Sequence, residues 1–234
     1  ANVAPGEYLP NEKCNEDVRV LYRDSGLLVI DKPWGVRMDG EFSVTVEKLV
    51  KREFEGKARF IHQLDFATSG CLLLGLDKKT TSQVHSLFDS RTISKEYLAL
   101  VEGTMERSTT VSAPICRYEG PDSLPANGAS RKSGEFRMMV GNGSEGNPGR
   151  AAETNIRPVA YGSYQGRGVT LVAMKPTTGR RHQLRLHSRH VGHHIVGDVT
   201  YAEDQAMARG CERMMLHAWR LSMPYQVQGQ VDSE

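Results

Sequence analysis

Hydrophobic and polar positions change period several times along the chain, and each change predicts an element. "VRVLYRDSGLLVIDKPWG", from Val18, sets β-branched and apolar residues on both sides of an Asp-Ser-Gly turn and halts at Pro33, the pattern of an opening hairpin. In "SVTVEKLVKREFEG", Val46, Leu49, Val50 and Phe54 fall at helical spacing, with Ser43 as N-cap and Gly56 just past the end. Short strands are expected at "ARFIHQLD" and "GCLLLGLD", on either side of "FATSG". Val84, Leu87 and Phe88 then mark a helix, and "KEYLALVEG" reads as a strand. Asp65 therefore falls where a strand meets a loop.

The composition shifts over residues 117–150. "RYEGPDSLPANGASRKSGEFRMMVGNGSEGNPGR" is rich in Gly, Ser, Asn and Pro, has little periodicity outside "EFRMMV", and reads as a surface insertion. Strands resume with "AETNIRPVAYG" and "GVTLVAMKP", and a last one is expected near "RMMLHAWRLSMP". Residues 1–17, polar with Pro5, Gly6 and Pro10, read as an arm and 225–234 as a tail, leaving one domain over 18–224 that carries the insertion. Strands come in runs and helices singly, so the fold class is α+β on a mixed, largely antiparallel sheet.

Charge changes this picture only through its placement. The totals nearly cancel, 30 basic against 28 acidic residues, but "KPTTGRRHQLRLHSRHVGHH" holds Lys175, Arg180, Arg181, Arg185 and Arg189, no acid, and five of the eight histidines. Forked guanidinium donors gathered in one place suit phosphate oxygens, which makes RNA or DNA a reasonable partner. A solvated basic helix face is the plainer alternative. A metal site built from His182, His187, His190, His193 and His194 is disfavoured, because their spacing fits no HExxH or paired Cys/His pattern and the neighbouring guanidinium groups repel a dication. Four scattered cysteines suggest neither zinc nor a disulfide framework and fit a reducing, intracellular compartment. With no run of eighteen apolar residues, neither a membrane span nor a secretion signal is expected.

Taken singly, Asp65 could cap the backbone amides of its own turn, and Tyr97 could be an ordinary strand aromatic with its hydroxyl at the core edge. The order of the segments is more specific. "LLVIDKPWG" (27–35), "HQLDFATSG" (62–70), "KEYLALVEG" (95–103), "TGRRHQLRLH" (178–187), "GHHIVGDVTYA" (192–202) and "MLHA" (215–218) resemble the RluA-type RNA pseudouridine synthases, in family order across most of residues 18–224. The wording "HQLDFATSG" and "RMMLHA" looks most like the eukaryotic RNA pseudouridylate synthase domain-containing proteins.

That resemblance implies a pseudouridine synthase fold with a catalytic cleft, isomerisation of uridine in RNA to pseudouridine, and no metal or other cofactor. It implies that Asp65 is the essential carboxylate, that Arg185 keeps it ionised and oriented, and that Tyr97 stacks on the uracil and can take the late proton from C5. Leu216 becomes an apolar wall against the base, and Arg180, Arg181 and His182 become RNA contacts, with the target uridine flipped out of its helix. Lys32, Pro33 and Gly35, like Gly197, Asp198 and Tyr201, are expected to order turns and loops. Gln63 departs from the pattern: many members carry an arginine there, and Gln keeps the hydrogen bonding without the charge. The expected partner is RNA, with no membrane and with a monomer favoured. Two other classes compete: a non-catalytic RNA-binding protein that keeps the fold, and a glycosidic-bond hydrolase, which lacks the usual second acid.

Overall fold

The computed structural model describes residues 18–54, 58–119 and 137–225. The expected arm, half of the expected insertion, the Gly56 helix stop and nearly all of the tail lie outside these residues. The chain forms two compact units, one running to Leu98 and resuming at Arg213, the other spanning Ala99–Glu212. The first contains β1 (Val20–Arg23), β2 (Leu27–Lys32), α1 (Val46–Glu53), β3 (Arg59–Phe60), β4 (Ser69–Gly75) and α2 (Lys78–Asp89), and opens β5 (Ser94–Glu102). The second completes β5 and adds β6 (Thr109–Val111), β7 (Ile115–Arg117), β8 (Met138–Val140), β9 (Thr154–Tyr164), β10 (Arg167–Pro176), α3 (Gln183–His190) and α4 (Gln205–Gly210). β11 (Leu216–Ser222) belongs to the first unit.

In the first unit β2 lies between β1 and β4, antiparallel to both. The other edge of β4 is shared: β3 pairs antiparallel with Leu74 and Gly75, and β11 pairs parallel with Ser69 and Gly70. Alternate residues of β2 and β4 face opposite sides. Leu28, Ile30, Leu72 and Leu74 pack with Val46, Leu49 and Val50 of α1, while Leu27 and Leu73 pack with Val84 of α2 and with Ile61 and Ile93. Both faces are covered, so "LLVID" and "CLLLG" read as continuous apolar runs instead of alternating ones.

Local chemistry sets the ends of these elements. The Asp24 carboxylate, fully buried, accepts from Gly26 N at 2.8 Å and Leu27 N at 2.6 Å, closing the expected hairpin turn. α1 is capped by Thr45 and not by Ser43: Thr45 is extended (φ −139°) and its hydroxyl accepts from Lys48 N at 3.2 Å, so the helix starts two residues later than the pattern suggested. α2 is capped by Asp77, which accepts from the Thr80 amide and hydroxyl.

In the second unit β9 and β10 form a long hairpin through Gln165 and Gly166, both at positive φ, as a two-residue primed turn requires. Val159 is the extra residue of a bulge next to Pro158, which cannot donate to a ladder, and β6 pairs only with residues 154–156. β7 and β8 pair separately, and Met138 and Val140 pack with Ile115, Ala152, Leu186 and Tyr201. The described flanks of the Gly- and Ser-rich stretch are thus strand and core. The sheet is mixed and mostly antiparallel with few helices, as the α+β expectation required.

Gly70 fixes the approach of β4 to β11. It sits at φ +110°, and a Cβ there would lie 2.2 Å from the Ala218 carbonyl oxygen. Gly70→Ala is expected to destabilise the protein by more than about 4 kcal/mol or to prevent folding, measured by urea unfolding followed by circular dichroism.

Candidate active site

Asp65 lies within the irregular loop that joins β3 to β4, not at the end of a strand, because β3 stops at Phe60 and residues 61–68 leave the ladder. It is half-buried, with Leu64 and Ala67 in the interior on either side, and its carbonyl accepts from Thr68 N at 3.1 Å.

A lysine anchors that loop. Lys32, at the end of β2, has no exposed surface, and its Nζ donates to the carbonyls of Pro33 (2.9 Å), Phe66 (3.2 Å) and Thr68 (3.0 Å). Gly35 N donates to the same Phe66 oxygen at 2.9 Å. An ammonium group removed from water is tolerated only when its protons meet acceptors. Two of these acceptors, Phe66 and Thr68, lie within three residues after Asp65 in the chain. Lys32, which the sequence suggested as a turn-shaping residue, holds the Asp65 loop itself.

The far end of the loop is tied to the segment before β11. Arg213 donates to Ser69 Oγ at 2.6 Å and to the carbonyls of Met214 and Leu216 at 3.1 Å, with its guanidinium 5.9 Å from the Trp34 ring centroid. Ser69 Oγ also lies 2.8 Å from His217 Nδ1. Burial, foremost, holds His217 below the usual histidine range, consistent with a neutral ring that can accept the serine proton. Leu216 is buried and immediately precedes His217, the parallel partner of Ser69.

Tyr97 on β5 packs its ring against the cluster that contains Leu64 and Ala218. Burial raises its phenol pKa, and the Asp65 charge raises it further. Asp65 and Tyr97 are therefore electrostatic neighbours, and the phenol is protonated at neutral pH. Of the two residues before Leu64, Gln63 is exposed, whereas the His62 ring lies 5.1 Å from that of Phe88 and its Nε2 accepts from Leu73 N at 3.0 Å. Burial, aided by the Lys95 charge, lowers the His62 pKa to about 4.

The remaining candidates lie in the second unit. The plainer alternative of a solvated basic helix does not describe α3, whose residues 183–188 are all buried. The Gln183 amide uses its full capacity: Oε1 accepts from Arg180 N and Thr178 Oγ1, and Nε2 donates to Glu153 O and Thr154 Oγ1. His187 sits between Thr154 Oγ1 and Ala113 O, both at 2.9 Å. Arg185 makes a two-pronged pair with Asp198, at 2.7 and 2.6 Å, and lies 4.9 Å from the Tyr201 ring centroid. His182, at φ 56°, contacts the Tyr201 hydroxyl through Nδ1 at 2.7 Å. Arg180 Nε donates to Ala151 O at 2.9 Å, and Arg181 is exposed. Asp198 and Tyr201, expected only to order a loop, orient Arg185 and His182. Among the described residues no group of three or more His, Cys, Asp or Glu could hold a metal ion, and no helix is long and apolar enough to cross a membrane.

Sequence reading did not single out Arg213, Ser69 or His217. The only signal was their place inside or beside the motifs "TSG" and "MLHA".

Lys32→Met, which removes one donor from each of three carbonyls and leaves Phe66 O with Gly35 N alone, is expected to cost about 2–4 kcal/mol in urea unfolding. The His62 shift gives a pH dependence of known sign. The folded state favours the neutral ring, so the unfolded chain binds more protons between the ordinary value of 6.5 and about 4. Stability is thus fully present above that window and falls as pH is lowered through it. The Tm should drop over this range by calorimetry, and less steeply in His62→Gln, which retains an acceptor.

Comparison with known proteins places the chain in a family. A family model described as RNA pseudouridylate synthase matches residues 26–190. RNA pseudouridylate synthase domain-containing protein 1 of Danio rerio is 37% identical over 223 residues, covering 89% of this chain and 71% of the relative. tRNA pseudouridine synthase C of Yersinia pestis is 30% identical over 231 residues, covering 91% and 83%. The solved structure of human RNA Pseudouridylate Synthase Domain Containing 1 superposes with a TM-score of 0.75 at 36% identity, covering 89% of this chain and 79% of that one. The chain belongs to the RNA pseudouridylate synthase family, a family of RNA-modifying isomerases.

Proposed function

We propose that this protein isomerises specific uridines in RNA to pseudouridine, with Asp65 as the essential group. The observation that carries the reading is the pairing of Asp65 with Tyr97, in which a carboxylate on an anchored loop lies close enough to raise the pKa of a neighbouring phenol. The overall change conserves atoms. The N1–C1′ bond of uridine breaks, a C5–C1′ bond forms, a proton leaves C5 and one is taken up at N1.

In this reading the Asp65 carboxylate acts as nucleophile or base toward the nucleoside. Tyr97 enters as a neutral phenol, suited to stack on uracil through its ring. Taking the C5 proton requires its own proton to leave first, so stacking is its primary task. Leu216 supplies apolar surface for the base. Arg185 is assigned as the cation that supports Asp65 by the family motif, and its rigid hold by Asp198 suits a group that must keep one orientation. Arg180, Arg181 and His182 are assigned to RNA contact. The substrate class is structured RNA with the target uridine extruded, supported by the tRNA named for the Yersinia pestis relative.

Incubating the protein with unmodified cellular RNA and analysing nucleosides by mass spectrometry should yield pseudouridine. Asp65→Asn should lower the rate by at least about 10³-fold with RNA affinity within twofold. Arg185→Ala should chiefly lose rate, and Arg180→Ala chiefly affinity. Free uracil as product would indicate a hydrolase, and full activity of Asp65→Asn would refute the assignment of the carboxylate.

A further inference from the structure

Gln63 leaves the Asp65 loop without the arginine that many family members carry there, yet another guanidinium, from the segment between β2 and α1, packs against this loop. Arg37 lies between two aromatic rings, 4.4 Å from the Phe42 centroid and 4.9 Å from that of Phe66, the residue that follows Asp65. Both rings and the arginine are half-buried.

The stack is anchored on each side. Phe66 is fixed through its carbonyl, which receives Lys32 Nζ and Gly35 N. Phe42 is brought back over Arg37 by a turn at Gly40, which has φ +102° and where a Cβ would lie 3.2 Å from the Phe42 ring. The Phe42 carbonyl also accepts a hydrogen bond from Lys48 Nζ. The backbone of Arg37 is set by a bridge to Thr45 and by its carbonyl, which accepts from Val46 N at the start of α1.

A guanidinium that packs on aromatic rings through its faces keeps the N–H edge in its own plane for polar partners, the edge that a forked contact to phosphate uses, and a packed side chain loses little further freedom on binding. Resting on the proposed RNA substrate, we infer that Arg37, clamped between Phe42 and Phe66, is an RNA-binding residue. It holds a backbone phosphate next to the flipped uridine and supplies the charge that Gln63 lacks. Arg37 is a contact residue for binding and does not take part in bond breaking.

The test uses the whole chain, with an unmodified tRNA transcript as the binding probe and, for kinetics, any RNA on which the protein forms pseudouridine. Arg37→Gln should weaken binding about tenfold at 0.1 M salt and reduce the slope of log K against log salt by about 1. It should raise KM with kcat within twofold and leave the Tm close to that of the unsubstituted protein. Arg37→Lys should keep the salt slope and lose part of the affinity, because an ammonium has no flat fork to clamp. Should Arg37→Gln fold poorly, Phe42→Leu decides: it opens the stack but keeps the charge, so a raised KM with kcat unchanged supports the assignment and an unaltered KM overturns it. Unaltered affinity and salt slope in folded Arg37→Gln also overturn it. Binding that depends on Arg37 without any pseudouridine formed would leave this contact standing and refute the proposed reaction instead.

Discussion

The Asp65 loop depends on one buried ammonium group. Residues 61–68 lie outside any ladder, so their carbonyls need partners that regular structure does not supply. Lys32 provides them from the end of a strand whose two faces are both packed, reaching carbonyls 34 and 36 positions away in sequence. A single flexible stem with three diverging donors suits this task, because the acceptors come from different directions. The position of the carboxylate is thereby linked to a pair of strands packed on both faces. Gly70 and the Arg213–Ser69–His217 network fix the other end of the loop in the same way, by close backbone approach and by donors matched to acceptors.

The second unit solves a related problem around α3. A helix carrying Gln183, Arg185 and His187 toward the interior is stable only because each polar atom has a partner. Thr154 links two of them, accepting from the Gln183 amide while lying against His187 Nδ1. Arg185 and Asp198 compensate each other at 4% and 2% side-chain exposure. Such a pair adds little net stability, since desolvation offsets most of the attraction, but it fixes orientation. Orientation is what the proposed role of Arg185 requires, so the cost would be borne at a position where geometry matters.

Much of this architecture was legible because its signals are local. The Asp-Ser-Gly turn, the α1 periodicity, the α2 stripe and the β5, β9, β10 and β11 strands each need only a few neighbouring residues. What stayed hidden required knowledge of distant partners. Ser43 and Thr45 are equivalent caps by composition, and only the extended backbone at Thr45 decides between them. The strand expected over "ARFIHQLD" is cut to Arg59–Phe60 because His62 turns inward to accept from Leu73, a cross-chain contact that no propensity encodes. The basic island looked like a surface feature because charge pattern carries no information on burial. Asp198, Thr154 and Tyr201, which make burial possible there, are scattered over about fifty residues. For the site, the family motifs named Asp65, Tyr97 and Leu216, whereas Lys32 was expected only to order its own turn and Arg213, Ser69 and His217 had no assigned task.

The raised pKa of Tyr97 sharpens how a polyanionic substrate can be accommodated. A phenolate beside Asp65 would add a second negative charge to the place where, in the proposed reaction, an RNA backbone approaches, and the Asp65 charge opposes that ionisation. RNA binding brings further negative potential and pushes in the same direction, so the neutral phenol is favoured more strongly with substrate present than without it. In that reaction a neutral ring can stack on uracil without adding to the repulsion of its phosphates. Cationic support for the backbone must come from side chains that hold their charge in a partly dry setting. Guanidinium groups meet that condition and ammonium or imidazole groups do so less well, because the weakly hydrated, delocalised charge of arginine resists neutralisation on burial. The stacking of Arg37, from the segment between β2 and α1, against Phe66 of the loop that seats the carboxylate is one way a protein can place such a charge without lengthening that loop or disturbing its anchor.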